Sequence, residues 1–175
     1  LLRELRLRTD LDLRAPGENP APALPQEWVQ WVNVPLEPYE LITSPSSREG
    51  LVRIFELLAR EESYPLVFHC WAGVDRAGTL AFLVNAVLGV DYASLVRDYE
   101  LSTLSVWGER SRSAPEFVRL VHSLEEHGGG AATIGGQAER FLLDSGVVPE
   151  HIAAVRRLLI EPVRDPDWGR FSESY

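Results

Sequence analysis

An α/β fold, with a small central and mostly parallel sheet flanked by helices, is predicted by three observations. Strand-like segments fall before residue 70, and helical periodicity dominates after it. One short run, Leu66-Val67-Phe68, is apolar without alternation, the pattern of a strand covered on both faces. Early strands followed by late helices give a sheet with helices packed against it.

Residues 5 to 13 alternate. Leu5, Leu7, Leu11 and Leu13 share one parity, and Arg6, Arg8, Asp10 and Asp12 take the other. The alternation predicts a half-buried strand, at least from Arg8 to Leu13. Residues 1 to 5 also fit the last turn of a helix. Four Pro and one Gly between residues 15 and 27 predict a loop. Trp28 to Leu36 reads as a second strand. Ser44 to Ser47 offer caps for a helix carrying Leu51, Ile54, Phe55, Leu57 and Leu58 at helical spacing. Pro65 ends it, and the buried strand follows.

The segment from His69 to Thr79 is turn-like. Leu80 to Leu88 is apolar nearly all round and closes at Gly89, which predicts a central helix. Asp91 is placed to cap a helix reaching about Glu100. Ser113-Ala114-Pro115-Glu116 has the form of a capping box for a helix packing Phe117, Leu120, Val121 and Leu124. Gln137 to Asp144 and Pro149 to Ile160 complete the set. With neither repeat nor linker, residues 1–175 read as one domain.

Composition narrows the function classes. The chain has 175 residues, 26 acidic and 17 basic, for a formal charge of −9. That balance argues against a general nucleic-acid or anionic-membrane surface. All the basic residues are Arg. A single Cys, Cys70, excludes an internal disulfide framework and a Cys-rich zinc module, and the His residues lack ligand spacing. No metal or cofactor is expected. No Gly-rich loop ending in Lys-Ser or Lys-Thr is present to hold a nucleotide. The longest apolar stretch, Thr79 to Val90, is shorter than the ~20 residues of a membrane span. The first residue is not Met, so an N-terminal part is expected to be missing. A cytoplasmic location is the expectation.

The chemistry concentrates between Cys70 and Arg76. A strand–loop–helix with Cys at its start and Arg at its end can curl six backbone N–H groups, from Trp71 to Arg76, into a nest. The next helix points its positive end into the same concavity. Arg76 adds a planar fork that matches two phosphate oxygens. Cys70 then lies beneath a tetrahedral anion, and the field that holds the anion also favours a thiolate, which attacks without a separate base. Trp71, Ala72, Gly73, Val74, Asp75 and Arg76 are therefore the expected phosphate-binding residues. Gly73 and Gly78 allow tight turning. Arg110 and Arg112 could meet a phosphopeptide, although a solvated loop explains them equally.

His69-Cys70-Trp71-Ala72-Gly73-Val74-Asp75-Arg76-Ala77-Gly78-Thr79 resembles the H-C-x5-R signature of the protein tyrosine phosphatase superfamily. Its form is similar to a bacterial branch whose loop reads HCxAGxDRTG. The likeness extends to Asp12-Leu13-Arg14, to Asp98-Tyr99-Glu100-Leu101-Ser102 and to Gly146-Val147-Val148-Pro149-Glu150, spanning residues 5 to 160. The resemblance implies a phosphotyrosine-phosphatase-like fold. It also implies a cysteine-dependent phosphomonoester hydrolase acting through a phosphocysteine. Cys70 would be the nucleophile and Arg76 the phosphate ligand. Asp75 would be the general acid. Asp12 is the rival acid, or a carboxylate that orients Arg76, and His69 supports the loop by hydrogen bonding. The implied partners are phosphorylated proteins or peptides, or small phosphomonoesters. The loop holds no Lys, which favours phosphotyrosine over phosphoinositides.

Two departures stand out. The family places Ser or Thr directly after the Arg, where this chain has Ala77, which predicts slow breakdown of the phosphoenzyme. An Asn-Phe-Arg-Asp stretch near the start is absent. A catalytically weak phosphate- or phosphopeptide-binding module is therefore the alternative, beside a phosphoinositide phosphatase, with a sulfur-transfer enzyme a third reading.

Overall fold

The computed structural model describes residues 4–39 and 44–160. Three strands, β1 (Thr9–Asp12), β2 (Gln30–Asn33) and β3 (Leu66–His69), form a sheet in the order β2-β1-β3. Both pairings are parallel, with Asp12 opposite Asn33 on one side and His69 on the other. Among the described residues six helices flank the sheet: α1 (Pro45–Leu58), α2 (Asp75–Val87), α3 (Tyr92–Leu101), α4 (Pro115–His127), α5 (Ile134–Asp144) and α6 (Pro149–Leu159). This is the α/β arrangement the sequence predicts.

β1 departs from the half-buried strand expected of residues 5 to 13. Only four residues pair, and all four are buried. As the central strand it is covered on both faces, so the parity that alternation assigns to solvent carries two fully buried carboxylates, Asp10 and Asp12. Leu5 lies outside the strand, half exposed. The expected helical turn over residues 1 to 5 lies partly outside the described residues; Glu4 and Leu5 are in a turn. The Pro-rich loop contains one 3₁₀ turn, Pro16–Glu18.

Helix boundaries follow local chemistry. Ser44 caps α1 by accepting from the Ser47 N–H at 3.3 Å, with Pro45 in the first turn. Asp91 caps α3 through the Ser94 N–H at 3.0 Å. The capping box expected at Ser113 does not form. Ala114 precedes Pro115 and is pushed into the extended region (φ −62°, ψ 132°), so Ala114 becomes the cap and Glu116 falls one position short. Ser113 pairs with the Ser111 hydroxyl at 2.9 Å instead.

α5 begins at Ile134, not Gln137, with Thr133 as its cap. Gly135 and Gly136 are inside the helix rather than in a loop. A Cβ on Gly135 would stand 2.7 Å from the Ala86 carbonyl oxygen, so the glycine permits close approach to α2. α2 packs against α3 and α5, and α1 packs against α6. Leu80, Leu83 and Ala86 of α2 are fully buried, as its all-round apolar pattern requires. α2 starts five residues before the predicted Leu80, which brings Asp75 and Arg76 into its first turn.

Candidate active site

Parallel strands deliver their C-terminal ends to one edge of the sheet, where ligand sites of α/β folds lie. β3 ends at His69, the chain turns through residues 70–74, and α2 begins at Asp75. Gly73 takes φ +72°, the left-handed conformation that lets the loop double back; the space around it is open, so the backbone conformation alone calls for glycine. No backbone N–H of residues 71–76 is engaged by a protein acceptor among the described residues.

Cys70 is 7% exposed and opens onto a pocket of about 330 Å³. The loop contributes Trp71, Ala72, Asp75 and Arg76 to its wall. Glu18, Pro38 and Trp107 close it from other elements. Of the loop residues singled out from the sequence, Cys70, Trp71, Ala72, Asp75 and Arg76 thus converge, whereas Gly73 and the buried Val74 do not line the pocket.

Arg76 is held end-on by Glu18. Its Nη2 donates to Oε1 at 2.7 Å and its Nη1 donates to Oε2. A second donor, the Ala15 N–H, reaches Glu18 Oε2 at 2.8 Å. These hydrogen bonds, the Arg76 pair first, hold the Glu18 carboxyl at about 2, against an ordinary 4.5. The guanidinium also interacts with the Cys70 sulfur, a smaller effect than the Glu18 pair. Glu18 has no counterpart among the residues expected from the sequence. It stands 58 positions from Arg76, inside the Pro-rich segment. The available signal was a Glu two residues after Pro16, just past Asp12-Leu13-Arg14.

Asp12 does not take the place expected of it. It is fully buried and clasped by Arg14, whose backbone N–H donates at 3.0 Å, Nε at 2.9 Å and Nη2 at 2.7 Å. Trp31 Nε1 adds a longer contact at 3.4 Å. Burial raises the Asp12 carboxyl, but the Arg14 hydrogen bonds outweigh burial and hold it below the usual range. Asp12 is thus committed to Arg14 and is not among the residues lining the Cys70 pocket, and the carboxylate on Arg76 is Glu18.

His69 fixes the loop. Its Nδ1–H donates to the Cys70 carbonyl at 3.0 Å. Its Nε2 lies 3.1 Å from Asp10 Oδ1, an ion-pair distance without hydrogen-bond alignment.

Asp75 faces the pocket with its carboxylate anchored from outside the loop. Tyr39 donates to Oδ1 at 2.8 Å; Arg110 donates through Nε to Oδ1 at 3.1 Å and through Nη2 to Oδ2 at 3.3 Å. Burial, then hydrogen bonding to Tyr99 and Asp75, pushes the Tyr39 phenol well above its usual value. Arg110 therefore serves Asp75, and Arg112 is paired with Glu100 at 2.6 Å. Ala77 is buried at the position next to Arg76. The Thr79 hydroxyl is spent on the Asp75 carbonyl at 2.7 Å and does not substitute for the missing one. No three His, Cys, Asp or Glu side chains converge as a metal site among the described residues.

A family model described as the tyrosine phosphatase family matches residues 1–161. The chain belongs to that family. A tyrosine-protein phosphatase from Nostoc commune is 26% identical over 117 residues, covering 67% of this chain and 33% of the relative. The chain thus spans about a third of the length of that curated relative. Within the tyrosine phosphatase family fold, Glu18 supplies a testable effect. It occupies the Nη1–Nη2 edge of Arg76, so removing its charge tests whether that guanidinium holds phosphate. Glu18→Gln is expected to weaken inorganic phosphate binding about three- to tenfold at neutral pH, measured calorimetrically. Because its folded value is depressed, the wild-type tie is complete above pH 4.5 and is lost as pH falls through about 2. Phosphate binding near neutrality should then show no inflection from Glu18; unchanged affinity in the variant would remove it from the site.

Proposed function

We propose that this protein hydrolyses phosphomonoesters through Cys70, with phosphotyrosine in a polypeptide as the substrate class. The observation that carries this reading is the convergence of Cys70, Trp71, Ala72, Asp75 and Arg76 on one pocket, with the backbone amides of residues 71–76 unspent. The amides and the fork bind the phosphate oxygens and favour the charge that develops on them in the transition state. The sulfur attacks phosphorus, the bond to the leaving oxygen breaks, and Asp75 supplies that oxygen with its proton. Water then attacks the phosphocysteine, Asp75 takes a proton from it, and the S–P bond breaks to release phosphate and Cys70. Arg110 pairs with the same carboxylate, so proton delivery requires that ion pair to open.

The aromatic walls Trp71 and Trp107 favour an aryl phosphate, and the loop carries no Lys. The test is a panel of phosphotyrosine peptides, phosphoserine peptides and phosphoinositides assayed with chelator present. Phosphotyrosine is expected to be preferred by at least about tenfold in kcat/KM; equal or better turnover of phosphoinositides would overturn the assignment. On aryl phosphates, Asp75→Asn should cost ~10²-fold for poor leaving groups and much less for p-nitrophenol. A uniform loss would give Asp75 a binding role.

One observation supports a second reading. With Ala77 beside Arg76 and the Thr79 hydroxyl occupied, neither side chain offers a hydroxyl to the Cys70 sulfur. A phosphocysteine that accumulates with negligible steady-state turnover would make the chain a phosphopeptide-binding module.

A further inference from the structure

Beside the pocket, the loop following α3 is tied at its neck. Thr103 Oγ1 accepts from the Arg110 N–H at 2.9 Å and donates to the Arg110 carbonyl at 3.0 Å. The Arg110 guanidinium donates inward to the Trp107 and Glu109 carbonyls, each at 3.2 Å, and outward to Asp75. The loop is thereby fastened to the first turn of α2.

Its outward side is apolar. Leu101 is 61% exposed, Leu104 85%, Val106 93% and Trp107 52%. No other stretch of seven described residues exposes as many large apolar side chains. Trp107 also lines the Cys70 pocket, as does Trp71, which is 64% exposed. Ordered backbone carrying exposed hydrocarbon marks an interaction surface.

We propose that this loop, together with Trp71, docks the polypeptide that carries the phosphate and selects apolar side chains next to the phosphorylated residue. The proposal rests on the phosphatase reading of the Cys70 pocket. Continuity supports this occupant. Trp107 belongs to both pocket and loop, and neighbouring residues of a chain lie only ~3.8 Å apart, so a phosphotyrosine seated over Cys70 brings its flanking residues to the rim. Charge argues against an anionic bilayer. Arg110 and Arg112 are each held by a carboxylate, Glu109 adds a negative charge, and the chain carries −9.

The test measures binding of two phosphotyrosine peptides to Cys70→Ser protein, so it does not depend on turnover. The peptides differ only in having Leu or Ser on both sides of the phosphotyrosine. The Leu peptide is expected to bind about tenfold tighter. Adding Leu104→Ser and Val106→Ser should bring the ratio to within about twofold, with thermal unfolding confirming an intact fold. Equal affinities in the starting protein, or a preference that survives both substitutions, would overturn the proposal. So would apolar-face-dependent binding to phosphoinositide vesicles without peptide preference, or a dimer in sedimentation that the two substitutions dissolve. Hydrolysis of p-nitrophenyl phosphate by wild-type protein separates the two readings. Turnover with equal peptide affinities defeats the docking surface alone, and a Leu preference without turnover defeats the catalytic reading alone.

Discussion

Cys70→Ser is expected to lower p-nitrophenyl phosphate hydrolysis at least about 10⁴-fold, while wild-type activity persists in chelator. The effect is large because a serine hydroxyl would need a base, and Asp75, which the proposed mechanism keeps protonated for the leaving group in this first step, does not serve as one. A thiolate attacks unaided, but a serine must lose its proton to a neighbour. The nearest imidazole, His69, is committed elsewhere, with Nδ1 on the Cys70 carbonyl and Nε2 against Asp10. The proposed phosphate cradle keeps its main anchor, since Arg76 is held chiefly by Glu18 and the interaction with the sulfur is the smaller one. Phosphopeptide binding should therefore survive in the variant while turnover disappears. Steady-state assays beside equilibrium binding check both halves. Substantial hydrolysis by the Ser protein would take Cys70 out of the mechanism.

Arg76→Lys is expected to reduce kcat/KM for the same substrate by about 10²- to 10³-fold. Arginine presents two usable edges. Glu18 takes the Nη1–Nη2 edge, which fixes the guanidinium plane and, on the proposed reading, keeps Nε for the phosphate. Lysine offers one charged centre without a fork, and Glu18 would compete with phosphate for it. Both kcat and KM should suffer, because the fork binds the ground state and also meets the extra charge of the transition state. Thermal unfolding should change little, since the Glu18 pair is partly exposed and such pairs contribute modestly. A large loss of stability with unaltered kinetics per folded molecule would mean the guanidinium is structural.

Much of the fold follows from local patterns. The unbroken apolar run at Leu66 to Phe68 gives β3, the four-sided hydrophobicity of Leu80 to Leu88 gives α2, and Ser44 and Asp91 cap the helices they precede. The misplaced boundaries have specific causes. Pro115 displaces a cap by one residue through sterics on Ala114. Gly135 reads as a helix breaker in isolation, yet its small size is what brings α5 onto α2.

The candidate loop from Cys70 to Arg76 was legible because all its parts are neighbours in the chain. A cysteine, a glycine and an arginine within seven residues, in a segment that resembles a family signature, mark the turn on which the proposed chemistry rests. Its supports were not legible. Glu18 on Arg76, Tyr39 and Arg110 on Asp75, and Asp10 beside His69 join residues from distant stretches, and a carboxylate or guanidinium on a loop looks the same in sequence whether it meets water or a partner. Asp12 shows the converse, a charge singled out from the sequence that the structure pairs with its near neighbour Arg14. Short-range chemistry is written in composition and spacing, whereas the pairing of charges depends on which strand lies in the middle of the sheet and on the burial that follows.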